Sequence, residues 1–301
     1  MNRAAGLTLV EVLVALMLAL VVLTGSLVFV ARGREAQRVG ESLARLEEQI
    51  DAALVMLVEE IRVAGYLGLA PPASAVVGAS AAGTVEHAGL EVGGACVSSL
   101  AHDLAVPVAA VDGAYEAAPG LPLGCRASPG GRAIPGSDVL ILRHAAAEAS
   151  RPEPGRLQLE TNLRTARLAA DGRGMLGADA RWHDLEVSVL YVSADSTGHG
   201  GWPSLRRKRL VGGTRPAFQD EELVSGIADL QIEIGLDDPA DADTAIDRWI
   251  TPDAAPHAGV PRALRLQVEA QSDIAEPSQP GGSRRKRVTR VVELRNSGPQ
   301  T

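Results

Sequence analysis

The chain begins with an apolar run that is long enough to cross a lipid bilayer as a helix. Residues 12–31 are uncharged over 20 positions, and a membrane-spanning helix needs about 20 apolar residues. Glu11 lies directly before this run. A carboxylate carried to the bilayer centre costs about 2.5–3.5 kcal/mol, so we expect some partner to compensate Glu11. The run exceeds the core of a signal peptide and lacks a small-x-small cleavage site, so it is predicted to stay in the mature protein. A plain single-pass anchor is the simplest interpretation.

The helical pattern continues beyond the apolar run and becomes amphipathic. Apolar residues recur in steps of three and four, which is typical of one helix face: Val39, Leu43, Leu46, Ile50, Leu54, Leu57 and Ile61. Gly65, Gly68 and the prolines at 71 and 72 predict the end of the helix. The sequence therefore predicts one helix over residues 7–64, with an amphipathic half at 32–64. Its apolar face could pack on the protein's own sheet or form a short coiled coil.

The rest of the chain is predicted to form a strand-rich head, residues 65–301. Residues 69–137 are rich in Ala, Gly, Ser and Pro and predict loops with short strands. Apolar or alternating segments follow and predict half-buried, antiparallel strands at residues 139–142, 185–191, 230–236, 264–270 and 288–294. These strands need an apolar cover on one face, which the amphipathic half of the helix supplies. The predicted fold class is α+β, with the helix packed on an antiparallel sheet in a head of one sheet or two lobes.

Composition and charge exclude some functions. The net charge of the 301 residues is 29 − 37 = −8, and aromatic residues make up only 3%, so nucleic acid is not an expected partner. Neither an HExxH metal motif nor a G-x-S-x-G elbow occurs, and we do not expect an enzyme. Outside the cytoplasm, Cys96 and Cys125 would form one disulfide; the alternative is two buried thiols.

Two kinds of charged cluster are candidate binding sites. Five aspartates fall within residues 237–247; Asp237, Asp241 and Asp243 would be the ligands if Ca²⁺ binds, but a solvated acidic loop is the favoured interpretation. Basic runs occupy residues 206–209 and 284–287. They could contact phosphates, but we favour charged edge strands, which resist edge-to-edge pairing.

The N-terminus resembles the class III signal of type IV pilins and pseudopilins. The resemblance lies in Gly6, Leu7, Thr8, Leu9 and Glu11, followed by the apolar run. Leu7 replaces the more usual Phe. The C-terminal half is similar to the PilW group of minor pilins, in residues 190–196, 205–207, 222–231, 235–237 and 294–296.

The resemblance implies a processing and assembly pathway. A prepilin peptidase would remove residues 1–6 by cutting after Gly6, and Leu7 would become the methylated N-terminus. Residues 7–31 would anchor the protein in the inner membrane, with the N-terminus cytoplasmic and the head periplasmic, and would later join the filament core. There Glu11 would pair with the α-amino group of a neighbouring subunit.

The implied function is that of a minor pilin that primes or caps a type IV pilus and supports adhesion and twitching motility. Its implied partners are other minor pilins, the major pilin and a pilus-tip adhesin, at the pilus or cell surface, with no cofactor apart from the calcium hypothesis. One alternative is a minor pseudopilin of a type II secretion system. A second is a membrane-anchored periplasmic binding domain.

Overall fold

The computed structural model describes residues 8–70, 72–79, 90–93, 96, 98–113, 133–162, 164–238, 240, 243, 245–253, 259–275 and 283–296. By its internal contacts, the chain divides into two compact units, Met1–Arg45 and Leu46–Thr301.

A single long helix, α1, runs over Leu9–Val63 and has 55 residues, or about 80 Å at 1.5 Å per residue. It confirms the predicted long N-terminal helix. Its end is set by Gly65, which has φ +80°, a conformation that glycine adopts without strain. A Cβ at this position would lie 2.7 Å from the carbonyl oxygen of Asn296, so no larger residue fits.

Eight strands of the described residues form the first sheet. They run in the order β1-β5-β4-β6-β3-β2, and β7 pairs with β6 and β8. All pairs are antiparallel except β1 with β5. The strands are β1 (Val76–Val77), β2 (Val108–Val111), β3 (Val139–Ala145), β4 (Gln158–Thr161), β5 (Ala166–Ala169), β6 (Arg181–Ser193), β7 (Ser204–Val211) and β8 (Ala217–Ser225). A 3₁₀ turn, Ala73–Ala75, precedes β1, and a short helix, α2 (Ser99–His102), lies between β1 and β2.

The second sheet is fully antiparallel and has the order β10-β9-β11-β12 among the described strands. Its strands are β9 (Ile227–Asp237), β10 (Arg248–Ile250), β11 (Val260–Ala275) and β12 (Ser283–Glu293). The structure thus confirms the α+β class and the predicted strands.

The main hydrophobic core joins the second half of α1 to both sheets. From the helix it contains Leu46, Ile50, Ala53, Leu54, Leu57 and Ile61. From β9 and β11 it contains Leu230, Ile232, Leu264 and Leu266, and from β3 and β6 it contains Leu140 and Leu190. The amphipathic stripe therefore packs on the protein's own sheets, as one of the two interpretations expected.

A second core covers the opposite face of the first sheet. It contains Val187, Val189 and Tyr191 of β6, Ile141 of β3, and Leu100 of α2. Because the sheet is buried on both faces, β3 shows a continuous apolar run rather than alternation. The expectation that the helix covers the alternating apolar face is confirmed for β9 and β11. It was wrong for β6, whose alternating apolar face packs into the second core, while Leu190 and Val192 on its other face join the core that contains the helix.

Candidate assembly site

The first turn of α1 contains a reciprocal set of hydrogen bonds between Thr8 and Glu11. The Thr8 backbone N–H and hydroxyl both donate to Glu11 Oε2, at 2.8 and 2.9 Å. The Glu11 backbone N–H donates in turn to Thr8 Oγ1 at 3.3 Å. This is a capping box, in which a Thr before the helix and a Glu three residues later satisfy each other's backbone N–H groups.

The capping box shows how the subunit itself accommodates Glu11. A carboxylate at a helix N-terminus is stabilised by the helix dipole and by unpaired N–H groups. Sequence reasoning missed this role, although the Thr-x-x-Glu spacing of residues 8–11 was a sufficient signal. The predicted processing residues, Gly6 and Leu7, lie outside the described residues, so their roles stay predictions.

The apolar part of α1 is exposed along its length. Its large side chains from Leu9 to Val30 are each at least 45% exposed. Among the described residues, α1 is the one helix that is long and apolar enough to cross a membrane. The hydroxyls within the run are satisfied by the helix itself, since Thr24 donates to Leu20 O at 2.7 Å and Ser26 to Val22 O at 2.8 Å. A polar group paired in this way is tolerated in lipid.

The basic run at residues 206–209 lies on β7, in the interior of the first sheet. The expectation of an edge strand was therefore wrong for this run, because β7 pairs on both sides with β6 and β8. Arg206 bonds Asp220 at 3.1 Å and Glu222 at 3.2 Å. Lys208 is 1% exposed, and its Nζ lies 4.0 Å from Asp220 and 5.7 Å from the Tyr191 ring centroid. Burial lowers the pKa of Lys208.

Arg207 of the same run ties the helix to the sheet. Its guanidinium forms an ion pair with Glu60 of α1 and a second one, at 2.6 Å, with Glu221 of β8. The charges of Arg206, Arg207 and Lys208 are thus matched by carboxylates of β8 and α1, which argues against phosphate binding by these three residues.

The second basic run, residues 284–287, lies on β12, at an edge of the second sheet as expected. Arg285 and Arg287 bond Glu269 of β11 at 3.0 and 2.7 Å. Lys286 pairs with Glu47 of α1, so this strand also contributes an ion pair to the helix.

The acidic loop and the cysteines are only partly within the described residues. Asp237 is buried and accepts two bonds from Arg262, at 2.7 and 2.6 Å, while Asp243 Oδ1 accepts the Ala245 N–H. Asp241 lies outside the described part, which contains no group of three His, Cys, Asp or Glu side chains placed to hold a metal ion. Cys96 is buried in the second core, and Cys125 also lies outside the described residues. The calcium site and the disulfide stay predictions.

Two family models match the chain. The model of the prokaryotic N-terminal methylation motif matches residues 1–27. The model of the type IV pilus-assembly protein W, PilW, matches residues 189–264. Together they support a type IV minor pilin of the PilW group. No curated protein and no solved structure gives a significant match.

The two matches cover different parts of the chain, the start of α1 and the strands from β6 to β11. The match to the methylation motif covers the capping box and most of the apolar run. The PilW match runs from the end of β6 into β11 and includes Arg207, which binds the helix. Pilin families are structural rather than enzymatic proteins, and the apolar helix with its methylation motif fits a membrane-anchored pilin.

Proposed function

We propose that the protein is a minor pilin that primes or caps type IV pilus assembly at the inner membrane. The observation that carries the proposal is Glu11, a carboxylate that caps the first turn of an otherwise apolar and exposed helix. Such a helix has no cover within its own unit, and the methylation-motif match supports a pilin N-terminus.

In this proposal, a prepilin peptidase cuts after Gly6 and the new N-terminus, Leu7, is methylated. Residues 7–31 hold the protein in the inner membrane, with the N-terminus cytoplasmic and the head periplasmic. At this stage Thr8 satisfies the Glu11 carboxylate within the subunit. The charge therefore does not have to be neutralised before assembly.

During assembly, the apolar halves of neighbouring helices pack together and replace lipid. The Glu11 carboxylate then pairs with the α-amino group of an adjacent subunit. Opposite charges attract strongly in a medium of low dielectric constant, and an isolated charge there is costly. The capping box keeps the carboxylate at the helix end, where an N-terminal ammonium group can reach it.

The size of the head supports a position at the end of the filament. A compact chain with the length of residues 65–301 is expected to have a radius of gyration of about 18 Å, whereas packed helices lie about 8–10 Å apart. A wide head meets fewer neighbours at a tip than along a shaft. A tip position would bring the protein to the cell surface beside other minor pilins, the major pilin and an adhesin, and would connect it to adhesion and twitching motility.

The test uses two substitutions of Glu11. Glu11→Gln keeps an oxygen that can accept the Thr8 hydrogen bonds but removes the charge, whereas Glu11→Ala removes both. We expect both variants to be exported and cleaved after Gly6, as N-terminal sequencing of the membrane fraction would show. Both should be depleted from sheared pili, because both lack the carboxylate.

Glu35→Gln is the matched control, since Glu35 is an exposed carboxylate of the same helix. It should be recovered in pili at the wild-type level. Normal recovery of Glu11→Gln in pili would refute the charge pair, whatever the behaviour of Glu11→Ala.

The two alternative functions predict different outcomes. A type II secretion pseudopilin would share the N-terminal motif, but its loss would impair protein secretion and leave pili intact; the PilW match favours the pilus. A membrane-anchored binding domain would keep Met1, so cleavage after Gly6 separates it from both pilin functions.

A further inference from the structure

The outer strand of the second sheet, β12, presents a long edge. It has 11 residues, whereas the outer strands β1, β2 and β10 have two, four and three. Among the described residues, β12 pairs with β11 alone. Edge strands are usually short or covered, because a free row of backbone N–H and C=O groups can pair with another chain. The edge of β12 is therefore a candidate binding site.

The edge of β8, the other long outer strand, is partly covered by the chain itself. The Gly93 N–H donates to Pro216 O at 2.7 Å, and Gly93 O accepts the Phe218 N–H at 3.1 Å. The corresponding side of β12 is open to solvent. Five alternate residues of β12 are exposed: Arg285, Arg287, Thr289, Val291 and Glu293.

The hydrogen-bond pattern shows which backbone groups of β12 point outward. The Leu294 N–H donates to Arg262 O of β11 at 2.8 Å. Directly opposed residues of an antiparallel pair alternate between hydrogen-bonded and non-hydrogen-bonded pairs. The register runs without a shift from the pair of Glu293 with Ala263 to the pair of Arg285 with Gln271. The odd-numbered residues 285–293 therefore point their N–H and C=O groups away from β11.

A strand added at this edge would not disturb the contact between β12 and the helix. The even-numbered residues face the main core, in which Val288 and Val292 pack. Lys286, on the same face, pairs with Glu47 of α1. Both the hydrogen bonds to β11 and the helix contact thus use other groups than the outward row.

The side chains along the edge favour an acidic partner. Arg285 and Arg287 share one carboxylate, Glu269, at 3.0 and 2.7 Å, and Asp229 lies 4.0 Å from Arg287. The two arginine side chains are 53% and 52% exposed. Arg285 bonds Glu269 through Nη1, and a guanidinium has five N–H donors, so it can bind a second carboxylate.

A second copy of this chain is a poor occupant of the edge. The strand β12 carries five basic residues and one acidic residue, a net charge of 5 − 1 = +4, so two copies of it would repel each other. The acidic strand β8 is partly covered at its edge, and its Asp220 and Glu222 already bond Arg206. The edge therefore fits a strand from a different protein.

We propose that the edge of β12 binds an extended acidic segment of another protein as an additional antiparallel strand. Every pair of the second sheet is antiparallel, and a further strand continues this arrangement. Backbone hydrogen bonds to the outward row hold the segment, as in other cases of strand addition. Carboxylates opposite Arg285 and Arg287 and an apolar residue opposite Val291 select it. The inference does not depend on the role of Glu11 or on incorporation into a filament.

The test uses the full-length protein in detergent micelles and a synthetic peptide as the probe. The peptide is acetylated and amidated and has the sequence Thr-Val-Thr-Val-Thr-Glu-Thr-Glu-Thr. Bound antiparallel to β12, it places its glutamates opposite Arg287 and Arg285 and its valines opposite Thr289 and Val291. Its threonines favour an extended conformation.

Amide hydrogen exchange measured by NMR reports the added strand directly. The outward N–H groups of Arg287, Thr289 and Val291 should become protected, because they donate to the peptide. Their exchange should slow about hundredfold when the free peptide is at about 100 times its Kd. The inward N–H groups of Val288 and Arg290 bond β11 and should be protected with and without the peptide. Unchanged exchange of the Thr289 N–H would overturn the proposal.

Two control peptides separate strand addition from simple attraction of an anion. The first has methyl groups on the backbone nitrogens of its valines and glutamates, which face β12, and it keeps the same charge. The second has lysine in place of glutamate. Neither should protect the Thr289 N–H. Equal binding of the methylated peptide would show that the arginines capture any anion, phosphate or lipid headgroups included, and would refute the added strand.

Variants of the edge locate the binding. Thr289→Pro removes an N–H that does not bond β11, so the sheet should fold, and binding should weaken about tenfold through the lost hydrogen bond. Thr289→Ala keeps this N–H and should bind as the wild type does. The exchange pattern of the wild type decides the question if Thr289→Pro does not fold.

Arg285→Gln tests the charge at the edge. Arg287 still bonds Glu269 in this variant, so the fold should be preserved, and the affinity should fall about threefold, in line with exposed ion pairs. Arg164→Gln removes an exposed arginine between β4 and β5 and should leave the affinity unchanged. An unchanged affinity in Arg285→Gln would overturn the selection of an acidic segment.

Discussion

The two halves of α1 solve the problem of apolar surface in different ways. In the second half, Leu46, Ile50, Leu57 and Ile61 are at most 1% exposed in the core, and Glu60 pairs with a sheet residue. In the first half, the large apolar side chains are exposed. The capping box at its start joins residues only three positions apart. The apolar side chains of the second half are thus covered within the subunit, whereas those of the first half are left exposed.

The difference in exposure between the two halves indicates which half contacts lipid or other proteins. Contiguous apolar surface on this scale is uncommon on a soluble monomer and indicates an interaction with lipid or protein. The second half needs neither, since both sheets cover it. Substitutions in the two halves should therefore affect different measurements.

The largest effect on stability is expected from a cavity in the core beneath the second half of α1. Leu57→Ala removes a fully buried side chain and should lower the free energy of unfolding by about 2–5 kcal/mol. Urea denaturation of the full-length protein in detergent would measure this change. Leu16→Ala makes the same chemical change at a residue that is 65% exposed, and it should leave the urea midpoint unchanged. Equal effects of both substitutions would contradict the comparison.

A smaller effect is expected from the ion pair that ties the helix to the sheet. Glu60→Ala leaves Arg207 without its helical partner and should cost about 1–3 kcal/mol of unfolding free energy. The adjacent Glu59 is exposed, so Glu59→Ala is the control and should change stability little. If both variants unfold at the wild-type urea concentration, Arg207 does not stabilise the helix contact.

The smallest effect is expected from the loss of the capping box, and it should be confined to the first turn of α1. Thr8→Ala should weaken the first turn of α1 by about 0.5–2 kcal/mol, because the Thr8 hydroxyl no longer accepts the Glu11 N–H. Amide hydrogen exchange in that turn would detect the change, while the urea midpoint of the head stays the same. Thr8→Ser keeps a hydroxyl and should restore protection; loss of protection in Thr8→Ser would show that the hydroxyl is not the stabilising group.

The sequence predicts α1 and most strands because their hydrophobic periods are local. It does not reveal strand order, so the position of β7 was misjudged. A signal did exist: the acidic residues 220–222 follow the basic run across a short loop and lie opposite it in register. Complementary charges on paired strands are stabilising, and this pattern indicates a hairpin rather than a free edge.

The contact between the start of β3 and β9 could not be predicted from local pattern. It depends on Asp138, whose Oδ2 accepts the Ile232 N–H and whose own N–H donates to Leu230 O, about 90 residues later in the chain. Pairing at this sequence separation leaves no periodic signature. The capping box, by contrast, lies within four residues and was available from the sequence.

The end of α1 also determines how the head bears mechanical load. The Gly65 N–H donates to Arg143 O of β3 at 2.9 Å, and Asn296 Nδ2 donates to Ala64 O at 3.1 Å. A pull on residues 46–63 therefore reaches the first sheet through β3 and the second sheet through the segment that follows β12. Tension is divided between two sheets from the last turn of the helix onward, so neither sheet has to resist it alone.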